Sequence, residues 1–202
     1  MTDNGLLELL HALSISRPQQ GGAPVFDAMH RPELARRYAW AIPNDEAIHA
    51  IAEVAAGRGI VEVGAGTGYW AALLMQAGVD VIATDVAPPE PDGGKEHNVW
   101  HAEAETWVEV HRVDAVEAAA NCGDRVLFLC WPPQINEMAA DAVRAYTGDT
   151  VVYVGEWTNG VTATPAFREL IDADWELVRT VEIPVWWGRD DMVRVFTRLA
   201  KT

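Results

Sequence analysis

The sequence predicts an α/β fold: a doubly wound, mostly parallel seven-stranded sheet with an antiparallel last strand, preceded by an N-terminal helical extension. Three observations carry this expectation. From residue 59 onward, short apolar runs alternate with amphipathic helical segments, the pattern of parallel strands covered by helices on both faces. A glycine-rich turn, VEVGAGTGYW, joins the first of those strands to a helix. The last two strand-like runs, WELVRTVEIPV and MVRVFTRLA, are separated only by WWGRDD, too few residues for a helical crossover, so one of them must run antiparallel. A chain of 202 residues, half of them hydrophobic, suits one such domain with a continuous core.

The elements follow in order. Leu6 to Leu13 has a short apolar helical pattern, which RPQQGGAP breaks. RPELARRYAW (31–40) reads as helical, with Pro32 suited to a first turn. Asn44 caps the next helix, Asp45 and Glu46 fill its first turn, and Ile48, Ile51, Ala52 and Ala55 form its apolar stripe before Gly57 stops it. The expected division is therefore an extension over residues 1–43 and a ligand-binding domain over 44–202. Within the latter, strands are expected at 59–63, 79–85, 108–114, 125–131 and 150–157, with helices at 68–77 and 135–146, a short one after Asp114, and one opening at Thr164-Pro165. A loop rich in proline and glycine, VAPPEPDGGKEHN, follows the second strand.

Composition narrows the function. The formal net charge of −15 repels phosphate backbones and favours a small molecule over DNA or RNA. No run approaches the roughly 18 apolar residues of a membrane helix. The leucines near the N-terminus are followed by no small-residue cleavage site, so a cytoplasmic protein without membrane partners is expected. Cys122 and Cys130 form neither a disulfide framework nor a zinc pattern, and no metal site is expected. Nine tryptophans exceed what a core of this size ordinarily holds, which points to some of them lining a pocket.

The strongest motif is the turn carrying Glu62, Gly64, Gly66 and Gly68. It lies where open α/β sheets bind ligands, beyond the carboxyl end of a strand. A dinucleotide fingerprint would require a third glycine at position 69, which is Tyr69. An acid two residues before the first glycine is also unwelcome beside a pyrophosphate and suits a ligand with an ammonium group, a loop carboxylate being the lesser alternative for Glu62. Asp85 closes strand two, 21 residues after Gly64 (85 − 64), where a carboxylate accepts the hydroxyls of a ribose. As a loop acid it is expected to matter little to the stability of the free fold. Asp114 closes strand three, placed either for a purine amine or as a plain helix cap.

Together these residues resemble the class I S-adenosylmethionine-dependent methyltransferase family, over about residues 44 to 199. The resemblance implies a cofactor site made of Glu62, Gly64, Ala65, Gly66 and Gly68 around the methionine end, Asp85 and Val86 at the ribose, and Asp114 and Ala115 at the adenine. S-adenosyl-L-homocysteine would be the product. After strand four, Trp131-Pro132-Pro133-Gln134 is similar to the Asn/Asp-Pro-Pro-Tyr motif of amino-methyltransferases, with Trp131 in the polar position and Gln134 in the aromatic one. Trp131, Pro132 and Pro133 are thus the candidate reacting wall, with backbone carbonyls left to aim at a donor group. Tyr38, Trp40, Trp157 and Trp187 are candidate substrate contacts, a wall suited to an aromatic or cationic acceptor. The extension would act as a lid, with His30 and His49 nearest to it and best read as exposed or structural.

The expected activity is methyl transfer to a small molecule, on nitrogen or another atom. Its rivals are a protein or nucleic-acid methyltransferase, a protein that binds S-adenosylmethionine without methylating, and a nicotinamide-dependent reductase. The first is opposed by the absence of a basic groove in the sequence, the last by Glu62 and the glycine spacing.

Overall fold

The computed structural model describes residues 4–12, 16–17, 22–90, 100–101, 104–158 and 160–200. Seven strands form one sheet: β1 (Ile60–Val63), β2 (Val81–Asp85), β3 (Val110–Arg112), β4 (Val126–Cys130), β5 (Thr150–Gly155), β6 (Trp175–Glu182) and β7 (Met192–Arg198). Their spatial order is β3-β2-β1-β4-β5-β7-β6. The first five are parallel, and β7 runs antiparallel to both β5 and β6. The strand order reverses between β1 and β4, which opens a crevice beyond their carboxyl ends.

The central strands are buried on both faces, which explains their unbroken apolar runs. Alternate residues feed two cores. Ile60, Phe128, Val152 and Val193 face one side, with α3 (Asp45–Ala55) and α4 (Tyr69–Gln76) packed over them. Val61, Leu127, Val151 and Phe196 face the other, under α5 (Ala115–Asn121), α6 (Met138–Ala145) and α7 (Pro165–Asp174). The expected caps are in place: Asn44 accepts from the Ala47 N–H at 2.9 Å, and Thr164 from the Phe167 N–H at 3.4 Å with Pro165 at the first helical position.

The extension belongs to the first core. Leu6 and Leu10 of α1 (Gly5–Ala12) and Leu34 and Tyr38 of and after α2 (Arg31–Arg37) share a cluster with Ile60 and Phe128. Polar ties fix them: the Leu6 N–H donates to the Tyr69 hydroxyl at 3.0 Å, and that hydroxyl donates to Asn4 Oδ1 at 2.9 Å. Ser16–Arg17, Val25–Phe26 and Val185–Trp186 add a small three-stranded ribbon that joins the extension to the connection between β6 and β7.

Several expected boundaries move. The strand foreseen over 175–185 stops at Glu182, because Pro184 has no N–H for a ladder and the chain crosses into the ribbon. The helix foreseen from residue 135 starts at Met138, since Pro133 first bridges to Thr162 and the chain turns at residues 134–135. The helical pattern over 31–40 ends at Arg37, where Tyr38 turns into the core. Leu13 and most of the proline- and glycine-rich loop lie outside the described residues.

Trp186 is the pin between ribbon and sheet: its ring is wholly buried and its indole donates to the Trp40 carbonyl at 3.0 Å. Trp186→Ala is expected to lower stability by about 3–5 kcal/mol, whereas Trp187→Ala, on a 64% exposed neighbour, should stay within about 0.5 kcal/mol. Urea denaturation followed by circular dichroism measures both.

Candidate functional site

The turn after β1 needs glycine for two reasons. Gly64 and Gly66 hold φ of +75° and +55°, in the left-handed region. A Cβ on Gly66 would also run into the His101 ring, whereas one on Gly64 would meet only the movable Met138 methyl. The loop is tied to β2: the N–H groups of Gly64 and Ala65 both donate to the Thr84 carbonyl at 2.9 Å.

Three acids stand at this rim in different ways. Asp85 is only 6% exposed, and its two carboxylate oxygens accept from the Gly66 N–H and the Ala87 N–H, each at 2.9 Å. It is therefore a structural clasp as well as a rim acid, which corrects the expectation that it matters little to the free fold. Asp114 is the N-cap of α5, accepting from the Val116 N–H at 2.9 Å, while it also lines the cavity. Glu62 is no loop carboxylate. It sits within β1, 1% exposed, on the face toward α4. Burial raises its pKa to about 8, a backbone hydrogen bond from Ala71 acts against this, and Asp85 adds to it. Its Oε2 has no hydrogen-bond partner.

These elements border a cavity of about 620 Å³, a size suited to a small-molecule ligand. Gly64, Gly66, Asp85, Val86, Asp114 and Ala115 form one end. Trp40, Trp100, Trp131, Pro132 and Pro133 form the other, with Arg31 and Arg189. His101 lies against the glycine turn, its Nδ1 3.0 Å from the Arg36 carbonyl, and burial lowers its pKa, which favours the neutral ring.

Trp131 is the strained residue of the site, with φ +53°. Its conformation is held by three contacts: its N–H donates to the Val154 carbonyl at 2.8 Å, its indole donates to Asp191 Oδ1 at 2.8 Å, and its ring stacks on Trp40 at 5.4 Å. Asp191 is 2% exposed, and burial pushes it up to about 7. The Trp131 bond and Arg31 oppose that rise, while Glu156 and Asp190 reinforce it.

Gly64, Gly66, Asp85, Val86, Asp114, Ala115, Trp40, Trp131, Pro132 and Pro133 converge on one cavity, with Glu62, Ala65 and Gly68 supporting its wall from behind. Three expected substrate contacts do not converge. Tyr38 is buried against Tyr69 and Trp107, at 5.1 and 5.2 Å. Trp157 packs on Tyr153 and Phe196, at 5.6 and 5.2 Å, because its side chain faces the core under α7 rather than the rim. Trp187 points to solvent. The Pro132 carbonyl, expected to aim at a donor group, accepts from the Ala163 N–H at 2.8 Å instead. His49 is exposed, and neither it nor His30 lines the cavity.

Arg31, Trp100, His101 and Met138 were not singled out from the sequence. Arg31 reads as one more charge in RPELARR, and Trp100 and His101 follow a loop without periodicity. Among the described residues no cluster of His, Cys, Asp or Glu is arranged to hold a metal ion, and no helix is long and apolar enough to cross a membrane.

No protein-family model and no curated protein matches the sequence. Among solved structures, a protein of the NADB-Rossmann superfamily from Streptococcus agalactiae aligns with a TM-score of 0.50 at 16% identity, over 81% of this chain and 73% of that one. Magnesium protoporphyrin IX methyltransferase from Synechocystis PCC 6803, with bound SAM, gives 0.49 at 11% identity, over 76% and 79% of the two chains. A 1,6-didemethyltoxoflavin-N1-methyltransferase from Burkholderia thailandensis, with S-adenosylhomocysteine, gives 0.46 at 17%, over 76% and 77%. At these identities the likeness is one of fold, a Rossmann-like α/β sheet.

Glu62 makes stability depend on pH. Its folded-state pKa, about 8, exceeds the ordinary 4.5, so the folded protein keeps a proton that the unfolded chain releases, and stability falls as pH rises from about 4.5 to 8. Glu62→Gln, a neutral isostere, should be more stable than the parent by a margin that widens across that window to a few kcal/mol. Chemical denaturation of both proteins between pH 5 and pH 8 measures the margin; a constant one would mean that Glu62 is ionised in the folded state.

Proposed function

We propose that the chain is a class I S-adenosylmethionine-dependent methyltransferase acting on a small molecule. The observation that carries this reading is the joint placement of Asp85, Asp114 and the glycine turn at one end of a single cavity. The residues fit the cofactor. Gly64 and Gly66 leave the close approach that a Cβ would close. Asp85 reaches the cavity from the end of β2, where its carboxylate would accept ribose hydroxyls. Asp114 and Ala115 lie where the adenine would rest, and the buried Glu62 carboxyl backs the turn from within β1.

When bound, S-adenosylmethionine supplies a methyl group on a positively charged sulfur, for in-line displacement by the acceptor atom. The protein's own contribution is positioning. The glycine turn and Asp85 would orient the cofactor, the tryptophan end would hold the acceptor, and the extension, through Trp40 and Arg31, would exclude water as a cover over the site. Transfer to nitrogen in the Asn-Pro-Pro-Tyr manner is disfavoured, because Trp131 replaces the carboxamide and Ala163 occupies the Pro132 carbonyl. The −15 charge favours small acceptors over nucleic acid.

S-adenosylhomocysteine should raise the melting temperature in a concentration-dependent way, and NADH should not. Binding of NADH without S-adenosylhomocysteine would replace this reading with the nicotinamide one. Asp85→Ala should weaken S-adenosylhomocysteine binding by about one to two orders of magnitude, through loss of charge-assisted hydrogen bonds of about 1.5–3 kcal/mol. The same change should lower stability without ligand by about 1–3 kcal/mol, since the Gly66 and Ala87 N–H groups lose their acceptor. Calorimetric titration and thermal melts separate the two effects.

A further inference from the structure

We propose that the tryptophan end of the cavity is an anion subsite, in which Arg31, seconded by Arg189, receives the carboxylate of a planar aromatic acceptor. Calling the occupant the acceptor rests on the methyl-transfer reading; the subsite itself rests on the geometry that follows.

The Arg31 guanidinium carbon lies 5.0 Å from the Trp40 ring centre and 4.8 Å from that of Trp131, and the two rings stack 5.4 Å apart, so the three groups form a nearly equilateral triangle. The triangle fixes the guanidinium by cation–π attraction and leaves its hydrogen-bonding edge unused. Nε and Nη2 are both buried and neither has a hydrogen-bond partner. These two atoms share one edge of the guanidinium, the edge that matches the two oxygens of a carboxylate. Buried donors without acceptors are uncommon in folded proteins and call for a partner.

The nearby acids form no ion pair with Arg31, although Asp191 Oδ2 is also buried without a hydrogen-bond partner. Asp191 Oδ1 takes the Trp131 indole at 2.8 Å, and Glu156 Oε2 takes the Val161 N–H at 2.8 Å and Arg189 at 3.4 Å. Among the described residues, no carboxylate lies within ion-pair distance of Arg31. Arg189 lines the same end, 6.0 Å from the Trp131 ring; burial first and then the Arg189 charge push the Arg31 pKa down, against Asp191 and Glu156, which raise it. The overall charge of −15 does not oppose this, because charges beyond a Debye length of about 8–10 Å are screened.

The aromatic half of the specificity comes from Trp40, Trp100 and Trp131. Trp100 meets Trp40 edge-on at 6.1 Å, so the wall offers ring surfaces to a flat ligand. A cationic acceptor, which the tryptophans alone would suit, is disfavoured here because the Arg31 guanidinium beside Trp40 and Trp131 repels a second cation.

The test uses 2-naphthoate and its neutral analogue 2-naphthamide, titrated calorimetrically into the full-length protein with and without S-adenosylhomocysteine. Naphthoate should bind at least about tenfold more tightly than naphthamide, the order of one charge-assisted pair. Arg31→Gln should reduce that preference to about twofold while leaving S-adenosylhomocysteine affinity within a few-fold, and Arg31→Lys should restore only part of it, because a point charge replaces the fork. Equal binding of acid and amide, binding of neither, or a preference that survives Arg31→Gln would overturn the subsite. If Arg31→Gln does not fold, the acid-to-amide ratio of the parent and of Arg31→Lys decides. Failure to bind S-adenosylhomocysteine with the acid preference intact would refute the cofactor reading and leave the anion subsite standing.

Discussion

The carboxylate of Asp85 sits where two strand ends must be kept apart yet in register. By accepting from Gly66 on the β1 side and Ala87 on its own side, it holds two backbone turns with one buried charge. A buried carboxylate is stable only when its lone pairs are met by donors, and here those donors are the N–H groups of turns that would otherwise be unpaired. The glycine turn can then take left-handed φ values without a side chain, and the crevice that the topology opens becomes a cavity with a defined floor. The other rim features, the His101 ring and the Asp114 cap, are arranged around that floor.

The opposite wall depends on a second buried acid. Asp191 comes from the start of the last strand region and reaches Trp131 at the end of β4, holding a ring whose backbone is itself strained. Trp40 from the extension stacks on that ring, and Trp186 fixes the Trp40 carbonyl from below. A strained residue persists only where its surroundings over-determine it, and this one is held by backbone, indole and ring together. The wall is therefore assembled from three distant stretches of chain, which explains why the extension packs into the main core instead of standing apart from it.

Much of this was legible in advance for reasons that can be named. The buried strands announced themselves as apolar runs because both their faces are covered, and the helices because their caps and stripes are local. The rim of Gly64, Gly66, Asp85 and Asp114 was legible because parallel sheets place successive strand ends side by side, so spacing along the chain becomes proximity in space. Trp157 misled because it lies two residues past the end of β5, where strand alternation no longer sets a face, and its ring instead packs on Tyr153 and Phe196.

Alone, then, the sequence determined what depends on neighbours within a few residues: the order of the elements, their polarity, the antiparallel ending and the glycine turn with its acids. The tertiary structure decided what depends on partners far apart in the chain. Asp191 and Trp131 are separated by 60 residues, Trp186 and the Trp40 carbonyl by 146, and no local pattern encodes such a pairing. The burial of Glu62, the double engagement of Asp85, and the unpaired edge of Arg31 against two tryptophans all belong to this second kind. Each is a matter of which polar groups find partners once water is excluded, and that is settled only when the sheet, its helices and the extension have closed around them.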